Sequence, residues 1–364
     1  MIVVAKIGTS SITDSQGDIV VASIEKLCSE VATLRSQGHV VVIVTSGAIG
    51  AGLPALGLGG THRPHDPVTL QAVSAVGQSR LMAVYNQALS THEIVAGQVL
   101  IASLDFVDRR QYLQARGTLL RLLELGVVPV VNENDALADD EIRFGDNDRI
   151  AALIAQLVDA DTLVLLTDTP GLHTADPRLD AGASLIEEIV EVDNSLEQLA
   201  GGSGTNRGSG GMSTKIAAAK IAAWSGVRTV IADAAREHVL PDAVAGMPGI
   251  GTVVLPHDRR LPARKLWIAF AVGSRGQITV DQGARAALLS GGNSLLAAGV
   301  TGVSGTFDVD DPVELAGPDG IVFAKGLSRL DATVVAQVAG LRKSEMPEGI
   351  AAWVVHRDDL VMLP

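Results

Sequence analysis

From residue 1 to about residue 256, apolar runs alternate with longer segments of helical period. The runs MIVVAKIG, HVVVIV, AGQVLI, VVPVV, DTLVLL and VRTVIA are apolar at successive positions, not at every second one. Strands of that kind have both faces covered, as in a parallel sheet lying between helical layers. The intervening segments 22–37, TLQAVSAVGQSRLMAVYNQAL, 110–125, NDRIAALIAQLVDA and STKIAAAKIAAW carry helical spacing, with Gly38 and Gly126 as stops. The expected fold is α/β: an open, mostly parallel sheet sandwiched by helices. Ligands of such sheets sit at the carboxyl ends of the strands. Polar residues collect there: Ser46 and Gly47, then Asn132 to Asp135, then Thr167 and Asp168, with the glycine-rich loop 201–215 beside them.

The pattern changes near HDRRLP. The 364 residues exceed the size at which one core stops growing. The sequence therefore divides into a domain over 1–256, a linker over 257–264 and a β-rich domain over 265–364. Strands are expected there in KLWIAFAV, GQITVD, TFDVDDPVEL, GIVFAKG and AAWVVHRDD, with one or two short helices.

Aromatic residues are only 3% against 47% hydrophobic, so Val, Leu, Ile and Ala must build the cores, and a stacking surface for single-stranded nucleic acid is not expected. The net charge of -13 opposes general polyanion binding but leaves room for a nucleotide held by a few local cations. From 258 to 364 there are 11 Lys/Arg against 12 Asp/Glu, so the second domain offers RNA no basic footprint and no RNA partner is expected. Cys28 is the only cysteine and falls in the helical row Ile24, Leu27, Cys28, Val31, Leu34, as a core thiol would. The N-terminal apolar run is broken by Lys6, and no run approaches the ~18 residues of a membrane span. The expected protein is soluble and cytoplasmic, with no membrane partner.

Three stretches could carry chemistry. GSGGMSTK (208–215) has glycines, hydroxyls and a lysine ahead of a helix, but its lysine follows the Ser-Thr pair and so breaks the P-loop pattern. Ser213 or Thr214 is expected to cap that helix, with Lys215 in its first turn. A cation there opposes the helix dipole unless a polyanion faces it; the alternative is a flexible linker with an ordinary cap. Lys6 lies in a strand expected to be buried, so it either ends the strand in water or points into a site. NEND and GDND place carboxylates and amides at one sheet edge. Either they cap helices and turns, or they face Mg²⁺ through water or a substrate amino group. The eight histidines show no metal-ligand spacing, and no protein metal ligands are assigned.

The segments VVAKIGTS, VIVTSGAIGAG, AVGQSRLM, VVPVVNENDA, GDNDRIAAL, LLTDTPGLHTADPR and GSGGMSTKIAAA resemble the glutamate 5-kinases of the amino-acid kinase superfamily. GQITVDQGARAALLSGGNSLLAAGVTGVSGTF resembles the PUA barrel domain appended to many bacterial members. The resemblance implies transfer of the ATP γ-phosphoryl group to the γ-carboxylate of L-glutamate, the first step of proline biosynthesis, with Mg²⁺ accompanying ATP. It implies that Lys6 and Lys215 neutralise phosphate charge and that Asp148 organises the site. Ser46, Gly47, Asn134, Asp135 and Asn147 would bind glutamate. Lys6, Thr167, Asp168, Ser209, Gly210, Gly211, Met212, Ser213, Thr214 and Lys215 would bind the nucleotide. It further implies inhibition by proline, a homo-oligomer and possible association with the downstream glutamyl-phosphate reductase. Two rival readings are a kinase of the same fold with another acceptor (aspartate, acetylglutamate, carbamate or UMP) and an RNA-binding module; NENDA, GDND and the acidic balance speak against them.

Overall fold

The computed structural model describes residues 1–58, 64–102, 104–137, 147–175, 177, 179–180, 182–201, 211–257, 261–271, 273–347 and 349–363. The chain divides into two compact units, Met1–Arg260 and Leu261–Pro364.

Among the described residues the first unit has eight strands: β1 (Ile2–Ile7), β2 (Val40–Val44), β3 (Ala96–Ile101), β4 (Val128–Glu133), β5 (Thr162–Thr167), β6 (Glu188–Ile189), β7 (Arg228–Asp233) and β8 (Thr252–Val254). Their order in the sheet is β3-β4-β2-β1-β5-β7-β8-β6. The six strands from β3 to β7 run parallel; β8 is antiparallel to β7, and β6 is parallel to β8. The helices are α1 (Thr9–Ile12), α2 (Val21–Ser36), α3 (Ala48–Ala55), α4 (Pro67–Ser90), α5 (Leu104–Val107), α6 (Arg109–Glu124), α7 (Asn147–Leu157), α8 (Asn194–Gly201), α9 (Met212–Trp224) and α10 (Val239–Ala245).

Side-chain alternation along β1 assigns the faces. Val3, Ala5 and Ile7 enter one core with Ile24, Leu27 and Val31 of α2, Leu81 and Tyr85 of α4, and Val239 and Leu240 of α10. Lys6 therefore faces the opposite side, where α7 packs on β1 and α9 packs on α7. Cys28 lies in the α2 core fully buried. Burial, with a smaller contribution from the Glu25 charge, pushes its thiol up to about 12, so it is an inert core group as expected.

Residues 45–52 read as a loop, yet α3 begins at Ala48. The helix rests on α4 backbone to backbone: a Cβ on Gly77 would lie 1.7 Å from the Ala48 carbonyl oxygen, and one on Gly52 would lie 2.1 Å from that of Val73. Glycine is weak in isolated helices, so tertiary packing sustains α3 where propensity does not.

The second unit holds β9 (Gly276–Val280), β10 (Leu295–Leu296), β11 (Val300–Gly305), β12 (Pro312–Ala316), β13 (Val322–Ser328) and β14 (Trp353–Met362), in the order β10-β14-β13-β12-β9-β11. Bulges or register shifts interrupt the antiparallel pairs and curl the sheet. Ile278, Leu315, Phe323, Val335 and Val355 lie in its main core. KLWIAFAV, expected as a strand, is instead the end of a helical turn, Ala263–Leu266, followed by a wider π turn, Trp267–Ala271; residue 272 lies outside the described residues. A short continuous apolar run does not distinguish a strand from a buried helical segment. Here the Lys265 and Leu266 N–H groups bond back to the Pro262 carbonyl, and Ile268 and Ala269 pack on Leu327 and Val361.

Candidate active site

Lys6 is buried near the end of β1, and its Nζ lies 2.5 Å from Asp148 Oδ1. Asp148, fully buried in the first turn of α7, turns its other oxygen toward α9: Lys215 Nζ donates to Oδ2 at 3.1 Å. Three elements far apart in sequence thus meet at one carboxylate. Burial alone would raise the Asp148 carboxyl. The charges of Lys6 and then Lys215, with their hydrogen bonds, outweigh it and hold the group below the usual carboxylate range.

Thr214 Oγ1 lies 3.0 Å from Asp148 Oδ2 and 2.8 Å from the Gly211 carbonyl oxygen, two acceptors for one proton. Neither Ser213 nor Thr214 caps α9. The cap is Gly211 in extended conformation, without a side-chain cap bond; Met212, Ser213, Thr214 and Lys215 form the first turn. The backbone of a glycine can approach a ligand closely, and the N–H groups of Met212, Ser213 and Thr214, the first three positions of the helix, precede the first intrahelical bond, Lys215 N–H to the Gly211 carbonyl, which suits an anion. Ser209 and Gly210, and Asp146 of GDND, lie outside the described residues.

The second cluster adjoins the first. Ser46, buried just after β2, accepts a hydrogen bond at 3.0 Å from Asn147 Nδ2, the residue preceding Asp148. Gly47 follows at φ +91°, a conformation that favours glycine, and caps α3. On the neighbouring strand end, the Asn134 N–H bonds to the Ile101 carbonyl, and Asp135 opens a single 3₁₀ turn to Leu137. On the other flank of β1, Thr167 ends β5 and donates to Asp168 Oδ1 at 3.2 Å. Those expected residues that are described therefore gather at the ends of β1, β2, β4 and β5, where side-chain bonds join Lys6, Asp148, Thr214 and Lys215 in one group, Ser46 and Asn147 in a second and Thr167 and Asp168 in a third. Sequence reasoning placed Asn132 in the polar cluster at the end of β4 but missed its buried partner Gln78, joined to it at 2.8 Å. The AVGQ segment carried only a helical period as its signal.

Mg²⁺ has no ready protein cage here. Among the described residues no group of three His, Cys, Asp or Glu could hold a metal, and both Asp148 oxygens face ammonium groups. The donors present suit an ion held by phosphate oxygens and water, not by a set of carboxylates.

The pattern of the amino acid kinase family matches residues 1–233, and that of the PUA domain matches 276–350. Glutamate 5-kinase of Citrifermentans bemidjiense is 44% identical over 99% of this chain and 97% of its own length. Glutamate 5-kinase of Caldanaerobacter subterraneus subsp. tengcongensis is 42% identical over 100% and 98%. The structure of carbamate kinase from Giardia lamblia bound to AMP-PNP shares the fold with a TM-score of 0.51 at 17% identity, covering 70% of this chain and 98% of that one. Sequence likeness at that level over the whole chain, on this sheet, shows that the chain belongs to the amino acid kinase family, among its glutamate 5-kinases.

Proposed function

We propose that this chain transfers the γ-phosphoryl group of ATP to the γ-carboxylate of L-glutamate, releasing ADP and L-glutamyl 5-phosphate, as the first step of proline biosynthesis. The observation that carries the reading is the buried Asp148 carboxylate held between Lys6 and Lys215. A carboxyl of pKa near ~4.3 is already an anion at neutral pH, so the reaction needs no general base. A carboxylate oxygen bonds to the γ-phosphorus as the bond from the bridging β–γ oxygen breaks, and ADP leaves with that electron pair. What the chemistry requires is alignment and relief of repulsion between two anions.

Lys6 and Lys215 supply positive charge at that point, and Asp148 holds both ammonium groups in place, one on each oxygen. Ser46, Gly47, Asn134, Asp135 and Asn147 bind glutamate. Thr167, Asp168 and the segment 209–215 bind the nucleotide, with the α9 first turn facing its phosphates. Mg²⁺ enters with ATP and supplies further charge neutralisation on the phosphate oxygens. Proline is proposed as an inhibitor, the cytoplasm as the location and a homo-oligomer as the assembly. Association with glutamyl-phosphate reductase would shelter the labile acyl phosphate from water.

The test is ATP turnover with Mg²⁺ and L-glutamate, trapping the acyl phosphate with hydroxylamine, with and without proline. A glutamate-dependent hydroxamate is expected, with suppression by proline. Turnover only with another carboxylate or carbamate acceptor would keep the lysine pair and overturn the substrate.

A further inference from the structure

AVGQSRLM contains a residue that the roles above leave unused. Gln78 is buried on α4, next to Gly77, whose Cα abuts the Ala48 carbonyl in the first turn of α3, two residues beyond Ser46. The end of β4 supplies its one bonded partner: Asn132 Nδ2 donates to Gln78 Oε1 at 2.8 Å. The backbone dictates how both amides face. The Glu133 N–H donates to Asn132 Oδ1 at 2.9 Å, so Asn132 turns Nδ2 toward Gln78, and Gln78 must answer with Oε1. Gln78 Nε2 is left buried, with two N–H groups and no hydrogen-bond partner among the described residues. A complementary orphan lies at Ser46: Asn147 gives Nδ2 to Ser46 Oγ and leaves Oδ1 buried without a partner among the described residues. Native interiors pair such atoms, and an unpaired donor and an unpaired acceptor flanking one candidate site point to a ligand that carries both complements.

Resting on the glutamate kinase reading, we propose that Gln78 binds substrate: Nε2 donates to the α-carboxylate of the amino acid, while Asn147 Oδ1 accepts from its α-ammonium. Sheet geometry supports the assignment of ends. β2 separates β4 from β1, and the register Lys6–Val44–Val131 sets Lys6 on the α7 face and the next residue, Asn132, on the α4 face, at strand ends two strand spacings, about 10 Å, apart. A five-carbon diacid that passes over the carboxyl edge of the sheet between these two faces has its γ-carboxylate at the lysines and its α-carboxylate on the Gln78 side.

The test uses the full chain and initial rates. KM for L-glutamate and for ATP are measured in wild type, Gln78→Met and Gln78→Glu, and each protein is also given L-isoglutamine, whose α-carboxylate is an amide. Gln78→Met keeps the length of the side chain and removes the donor; it should raise KM for glutamate roughly tenfold or more while leaving KM for ATP and kcat near wild type. Gln78→Glu retains an acceptor for Asn132 but turns an anion toward the substrate carboxylate, and should lose more. Wild type should prefer glutamate to its α-amide, and Gln78→Met should narrow that preference. If thermal melting shows that Gln78→Met is unfolded, Gln78→Glu and its ratio between the two substrates decide. An unchanged KM for glutamate in a folded variant, or an equal rise for both substrates, would overturn the proposal while wild type still turns over glutamate. Absence of glutamate turnover in wild type would overturn the kinase reading and this proposal with it.

Discussion

At Asp148 one buried carboxylate faces two ammonium groups, and each lysine is half of its compensation. Removing one lysine leaves the carboxylate paired with the other, so Lys6→Ala and Lys215→Ala should fold. Each should lower kcat by about 10²- to 10³-fold, measured as hydroxamate formation at saturating substrates, because charge on the transferring group goes unmet. Asp148→Asn leaves both ammonium groups without their anion and should cost about 3–5 kcal/mol of stability at neutral pH by urea unfolding. The sign of its pH dependence follows from the depressed carboxyl. Such a group contributes stability fully present above the unfolded value of about 3.9, and lost as pH falls through the lower folded value. The gap between wild type and Asp148→Asn should therefore hold steady from about pH 8 to pH 5 and close only below about pH 4. Lys6 and Lys215 were legible in the sequence because a cation in an apolar strand, and another in a helix first turn, each conflict with a local rule. Gln78 broke no rule: an amide within a helix signals nothing until Asn132 arrives from 54 residues away.

At the scale of elements, α3 and α4 form the support beneath the Ser46 corner, and their contact has no room for a methyl group. Gly77→Ala would place a carbon 1.7 Å from the Ala48 carbonyl oxygen, where only backbone can move. It should cost about 2–4 kcal/mol by chemical denaturation and raise KM for glutamate, since the first turn of α3 must shift; a stability equal to wild type would refute the close contact. The main strands and long helices of the first unit were readable because their periodicity is long and consistent. What escaped was held by packing rather than by pattern. TSGAIGAG reads as loop because its glycines disfavour an isolated helix, yet one of them, Gly52, lets α4 approach. KLWIAFAV reads as strand because a short apolar run carries no period of its own. Residue preference puts a hydroxyl at the α9 cap, whereas Gly211 takes the position and the Thr214 hydroxyl is turned to Asp148 and the Gly211 carbonyl.

For the molecule as a whole, composition predicted what kind of cores to expect. Few aromatics leave the interior to aliphatic side chains, and the main clusters of the two units are built mostly of Val, Leu, Ile and Ala. The chain is acidic overall, yet it buries Lys6 and Lys215 together at the Asp148 carboxylate. Cys28 has a consequence of another kind. It is the only thiol in the chain, it sits in the α2 core with no solvent exposure, and burial pushes it up to about 12. A thiol-specific reagent can meet it only after that core opens, so the labelling rate under native conditions is a clock for opening of the sheet-and-helix unit. Substrate that binds the closed form should slow the clock in proportion to its occupancy, giving a readout of ligand binding that requires no turnover, no added dye and no second label.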